Sequence, residues 1–142
     1  MQQTLTTLAK NPQEAYRRQN VLTASPIELI IMLYDGLRKN IILAQRAINK
    51  RDMDSSNKYL IKAQNIVSEL MNCLDLSFQI SEELMRIYDF LFRGLVDSNI
   101  KKNADNLPDY LSIVDELRGA WSEVNSLQKT SPPPEMELGQ QA

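Results

Sequence analysis

There is no histidine anywhere in the 142 residues. Its absence removes the commonest general acid and base, the commonest metal ligand and every Ser-His or Cys-His pairing. The di-iron sites of helical bundles rest on Glu-x-x-His pairs and are excluded with it. Cysteine is limited to Cys73, which rules out a disulfide framework and fits a reducing, cytoplasmic setting. On its helix Cys73 reads as a small apolar residue rather than a reactive thiol. Four glycines are present (Gly36, Gly94, Gly119 and Gly139), and none belongs to a phosphate-binding loop. No apolar run approaches the roughly 18 residues of a membrane span. The opening residues lack the basic and continuously apolar regions of a secretory signal. Net charge is −2 with both signs interspersed, so no basic face awaits nucleic acid. Adjacent carboxylates at Glu82-Glu83 and Asp115-Glu116 diverge on a helix and read as solvated surface. The expectation is a protein without enzymatic chemistry, cofactor or metal, whose work is binding.

What the chain does have is helical period. Ser25 and Glu28 form a capping box around Pro26 at the first helical position. The first helix is expected from Pro26 to about Lys50, with Ile30, Leu33, Tyr34, Leu37, Ile41, Ala44 and Ile48 on its core stripe. A second runs from Asp54 or Ser55 to Leu74, capped by Asp52 or Asp54. Its stripe is Leu60, Ala63, Val67, Leu70 and Leu74, widened by Tyr59, Ile66 and Cys73. A third follows Ser81 as N-cap and carries Leu84, Ile87, Tyr88, Leu91 and Leu95 to about Ile100. The fourth opens near Leu107-Pro108-Asp109 and runs to about Gln128, burying Tyr110, Val114, Leu117, Trp121 and Val124. Short connections make successive helices antiparallel neighbours. The expected fold is all-α: an antiparallel up-down-up-down four-helix bundle over residues 25–128. A flexible arm (1–24) precedes it, and a disordered tail (129–142) with Pro132-Pro133-Pro134 follows.

The first helix carries more apolar surface than one core needs. Leu29, Ile30, Ile31, Met32, Leu33 and Tyr34 are six apolar residues in succession, where a single stripe would suffice. Ile27, Ile31 and Ile42 fall on one flank, and Leu29, Met32 and Leu43 on the other. On the third helix, Met85, Phe92 and Val96 make a second stripe. Two neighbouring helices would cover such flanks; an interaction surface would also need them. Gly36 and Gly94 each cost a helix interior about 1 kcal/mol relative to Ala, and suit either close approach of a partner or tight packing between helices.

Tyr16, then Val21-Leu22-Thr23-Ala24-Ser25-Pro26 and Leu29-Ile30-Ile31-Met32-Leu33-Tyr34-Asp35-Gly36 resemble the signature of the flagellar secretion chaperone family FliS. Further matching blocks are Ile87-Tyr88-Asp89-Phe90, Leu95 and Asn99-Ile100-Lys101-Lys102, and Leu117-Arg118 with Trp121. The resemblance spans residues 16 to 126 and departs from the family pattern at Gly94, Ser98 and Asn103. It implies a four-helix antiparallel bundle in the cytoplasm that binds the C-terminal disordered region of flagellin. It further implies prevention of premature polymerisation and a client kept competent for flagellar type III secretion. The flagellar export apparatus or regulatory proteins are further candidate partners, and the chain itself is expected as a monomer or weak homodimer. The client-binding residues expected on this basis are Tyr16, Val21, Leu22, Ile27, Leu29, Ile31, Met32, Gly36, Met85, Phe92, Val96 and Asn99. Tyr16 would anchor the arm over the empty client site. The alternative is a non-catalytic oligomer or scaffold that uses the extra stripes as a permanent homo-interface.

Overall fold

Residues 26–130 are described in the computed structural model. The Ser25 cap, the arm with Tyr16, Val21 and Leu22, and the tail after Thr130 lie outside the described residues. Four helices follow one another: α1 (Pro26–Asn49), α2 (Met53–Asn72), α3 (Gln79–Lys101) and α4 (Leu107–Thr130). Their lengths of 20 to 24 residues give a bundle about 30–36 Å long. Two exposed ion pairs set the direction of α4 against α1: Arg38 Nε reaches Asp115 Oδ1 at 2.8 Å, and Arg118 reaches Asp35. As numbers rise on α1 they fall on α4, so these helices are antiparallel. With the short connections, the topology is up-down-up-down.

The core is built largely from the expected periodic positions, with Leu107, expected only at the opening of its helix, added to them. Tyr34, Leu37, Ile41 and Ala44 of α1, Leu60, Ala63, Val67 and Leu70 of α2, Tyr88, Leu91 and Leu95 of α3, and Leu107 and Val114 of α4 are all sealed from solvent. Each Leu, Ile or Val sealed in this way is worth about 1.5–3 kcal/mol relative to exposure. Caps mark the boundaries. Asp52 accepts from the Ser55 backbone N–H at 3.2 Å and starts α2 at Met53, one residue before Asp54. Lys102 ends α3 in the left-handed region, its N–H returned to the Ser98 carbonyl.

Three expectations are corrected. Ser81 is not the N-cap of α3. The helix begins at Gln79 after Phe78, which provides no side-chain cap. The buried Ser81 hydroxyl instead donates to the Asp75 carbonyl at 2.6 Å, tying the first turn to the preceding loop, so a polar residue that reads as a helix start is a loop anchor. Cys73 is the exposed C-cap of α2 rather than part of its stripe, because α2 stops at Asn72. Val124 is 41% exposed, and Trp121 and Leu117 are half-buried.

The last correction follows from how α4 sits. α1 packs closely against both α2 and α4, and α2 packs against α3, but α3 and α4 touch only sparsely. Consecutive in sequence, they meet through side chains, among them one ring. Tyr110 lies over Gly94, where an added Cβ would meet ring atom Cε1 at 2.8 Å. Its ring also makes an edge-to-face contact with Phe90, centroids 5.7 Å apart at 78°. Gly94 is therefore a seat for Tyr110, and the seam beyond that contact stays open.

Candidate functional site

The flanks of α1 are covered from within. Ile27 and Ile31 lie on the side of Asp35 and Arg38, which pair with α4. Leu29 and Met32 lie on the side of Gly36, whose Cβ position is 3.2 Å from the Ile66 methyl of α2. All four apolar residues are half-buried. Because α1 has two close neighbours, α2 and α4, a wide apolar arc is what its packing demands. Gly36 likewise has a packing partner inside the bundle, and its carbonyl accepts from Asn40.

The α3 candidates sit on the side facing α2. Asn99 donates to Asn57 Oδ1 of α2 at 2.9 Å and accepts from Lys102. Met85, Phe92 and Val96 share that side by helical period. They are half-buried, with Phe92 packed onto the core. The structure thus separates the candidates into an α1 set and an α2-facing α3 set, and neither is a large open apolar face. Tyr16, Val21 and Leu22 lie outside the described residues.

Open apolar surface lies elsewhere, along the sparse α3–α4 seam. Phe90 is 55% exposed and Ile80 63% exposed on α3, and Val124 flanks them from α4. A shallow groove lined by Arg86, Phe90, Arg93, Gly94, Asp97 and Tyr110 runs beside the Tyr110 contact. Its walls carry both charges, with Arg93 paired to Asp89 at 3.1 Å and Lys101 to Asp97 at 3.2 Å. Sequence reasoning missed this seam because it looked for surplus stripes. The signal available was Phe90 standing opposite the core side of α3, together with Gly94 one turn further on.

At the end of the bundle where α1 and α3 begin, an apolar cavity of about 220 Å³ opens to solvent. Ile30, Leu70, Phe78, Leu84, Tyr88 and Trp121 are among its walls, so all four helices contribute. The hydroxyl of its wall residue Tyr88 meets the buried hydroxyl of Tyr34 at 2.5 Å. Burial pushes both hydroxyl titrations up. For Tyr34 hydrogen bonding from Tyr88 and the Trp121 indole opposes the shift, whereas for Tyr88 the bond to Tyr34 adds to it. Phe78 of its wall is exposed, as is Leu76 two residues before it. Cys73 also lines the cavity, its thiol titration raised by desolvation and by Glu69.

Among the described residues no cluster of three or more His, Cys, Asp or Glu is arranged to hold a metal. No helix among them is long and apolar enough to cross a membrane.

Comparison with known proteins agrees in scale with the described bundle. The family described as "Flagellar protein FliS" matches residues 9–128. A flagellar secretion chaperone FliS of Bacillus subtilis (strain 168) is 41% identical over 114 residues, covering 80% of this chain and 86% of that protein. The flagellar secretion chaperone FliS of Vibrio cholerae is 26% identical over 117 residues, covering 78% of this chain and 86% of its own. That of Salmonella typhimurium is 25% identical over 108 residues, covering 74% and 80%. With a family match over most of its length and a relative this similar, the chain belongs to the FliS family of flagellar proteins.

Proposed function

We propose that this protein is a cytoplasmic export chaperone for flagellin, and that it holds the apolar C-terminal segment of that client along the open α3–α4 seam. The observation that carries the reading is the seam itself: two consecutive helices whose backbones come close at few points, with Ile80, Phe90 and Val124 exposed beside them. A groove between two helices takes an amphipathic helix, and a client that is unfolded when free acquires helix on docking. Covering the client's apolar stripe blocks its self-association, while the modest size of the groove leaves most of the client unfolded for export. The names of the relatives, flagellar secretion chaperones, support the export role.

The half-buried residues of α1 and the α2-facing side of α3, from Ile27, Leu29, Ile31 and Met32 to Met85, Phe92, Val96 and Asn99, support the groove from behind in this reading. Tyr16, Val21 and Leu22 precede α1 and dock on the same apolar surface when no client is present, so that arm and client compete. A second reading gives Phe90 and Ile80 to a homo-interface, and light scattering on the isolated protein separates the two.

Titration calorimetry with a flagellin C-terminal peptide tests the proposal. Phe90→Asp and Ile80→Asp should each weaken binding at least about tenfold, roughly 1.4 kcal/mol. The Ile80→Asp urea midpoint should stay near wild type, since that side chain faces water, whereas Phe90→Asp also gives up the edge-to-face contact with Tyr110 and should lower the midpoint modestly. Ile31→Asp and Met32→Asp should lower stability. Wild-type affinity in Phe90→Asp would remove the seam from client capture.

A further inference from the structure

We propose that the α2–α3 end of the bundle is a second docking surface, which takes a cationic amphipathic segment of a partner protein. Leu76, Phe78 and Ile80 stand at alternate positions there and are 64%, 61% and 63% exposed. Exposed apolar residues scattered singly need no account, but a contiguous group with a polar rim marks an interaction site. The patch adjoins the seam at Ile80 and is centred on Leu76 and Phe78, which the seam does not use. The loop that carries them is held in place. The Asp75 carboxylate accepts from the Ser77 backbone N–H at 3.0 Å and from the Ser77 hydroxyl at 2.7 Å. The Asp75 carbonyl accepts from the Phe78 N–H and from the buried Ser81 hydroxyl. Leu76 and Phe78 are thus presented on ordered backbone, and little conformational entropy remains to be lost when a partner covers them. Phe78 and Ile80 also wall the apolar cavity at this end, a recess for one long side chain of the partner.

Charge selects the occupant. Residues 26–35, 64–85 and 119–128, the described helix turns and loop around this end, contain no Lys or Arg. Glu69, Asp75, Glu82 and Glu83 lie among them. Asp75 lines the cavity, and Glu69 is close enough to act on the thiol of its wall residue Cys73. Glu82 and Glu83 follow Ile80 in the opening turns of α3. No ion pair among the described residues engages any of these four carboxylates. The cations gather towards the opposite end, from Arg46, Lys50 and Arg51 between α1 and α2 to Lys101 and Lys102 where α3 stops. A second copy meeting this end through the same patch would bring the carboxylates of both chains together, and an anionic lipid surface would meet the same repulsion. A cationic amphipathic segment gains on both counts. Its apolar side chains cover Leu76 and Phe78 and enter the recess, and its ammonium or guanidinium groups meet the acidic rim.

The probe is a tryptophan-free amphipathic helical peptide of Leu and Lys, and the same peptide with Glu for Lys is its control. Trp121, the sole tryptophan and part of the cavity wall, reports occupancy in the full chain. The Lys peptide should bind saturably and change Trp121 emission, and the Glu peptide should not bind. Leu76→Ser/Phe78→Ser should weaken the Lys peptide at least about tenfold, mainly through faster dissociation. Glu82→Gln/Glu83→Gln should weaken it several-fold through slower association and flatten its salt dependence. All four substituted side chains are exposed, and urea unfolding verifies that both variants keep the wild-type midpoint. Phe90→Asp, on the seam, should bind the Lys peptide as wild type does. Loss of binding in Phe90→Asp with retention in Leu76→Ser/Phe78→Ser assigns the peptide to the seam and overturns the proposal. Equal binding of the two peptides, or no binding of either, also overturns it. So does a mass that rises with concentration in light scattering and falls in Leu76→Ser/Phe78→Ser, which would give the patch to a second copy.

Discussion

Tyr34 of α1 and Tyr88 of α3 link diagonal helices through hydroxyls 2.5 Å apart. Both residues are almost wholly shielded from solvent, so each hydroxyl depends on the other. Tyr34→Phe leaves the Tyr88 hydroxyl without its partner, and an orphaned buried group costs about 1–3 kcal/mol. Tyr88→Phe leaves Tyr34 with the Trp121 indole, so only a net hydrogen bond is lost, about 0.5–1.5 kcal/mol. The double variant removes both hydroxyls from an otherwise apolar site and should cost less than the sum of the singles, with a coupling of about 1 kcal/mol. Urea unfolding followed by circular dichroism, with an unchanged m-value, gives these differences. Burial also raises both hydroxyl titrations, so the folded state holds these protons more tightly than the unfolded chain. The stability they contribute is intact below the unfolded tyrosine value near 10 and is lost as pH rises above it. The double variant should therefore show a shallower alkaline loss. Strict additivity of the singles, or a larger cost for Tyr88→Phe than for Tyr34→Phe, would refute the paired-hydroxyl account.

Gly94→Val should displace Tyr110 and cost about 1–3 kcal/mol as overpacking, with loss of the Phe90–Tyr110 contact visible in aromatic circular dichroism. Leu91→Ala, in the sealed core, should cost about 2–5 kcal/mol, whereas Val124→Ser should change the urea midpoint little; comparable losses would place Val124 in the core. Asp52 and Asp75 are both held below the usual carboxylate range by Ser55 and Ser77 respectively. Their contribution is present above the unfolded carboxylate value near 4 and disappears as pH falls through the lower folded values. Asp52→Asn and Asp75→Asn should therefore flatten the acid limb of thermal stability without altering the alkaline limb.

The sequence alone determined most of the core and the helices that carry it. Stripes such as Leu60, Ala63, Val67 and Leu70 recur at helical spacing, and no other secondary structure buries them on one side. Family membership was legible in the block from Val21 to Gly36 because those residues combine a helix start, an apolar helix and a glycine in fixed order. The partnering of the helices was not legible. The two flanks of α1 and the exposed side of α3 have equal apolar character in a linear chain, and only assembly covers the first and leaves the second open. Tertiary structure decided that α1 takes two close neighbours, so Ile31 and Met32 became half-buried while Phe90 stayed in water. It decided the same for Trp121 and Ser81, whose surroundings come from segments distant along the chain or across a loop. Helical period records the angle at which a side chain leaves its own helix. What stands at that angle depends on Tyr110 resting on Gly94, a contact between helices that no local pattern encodes.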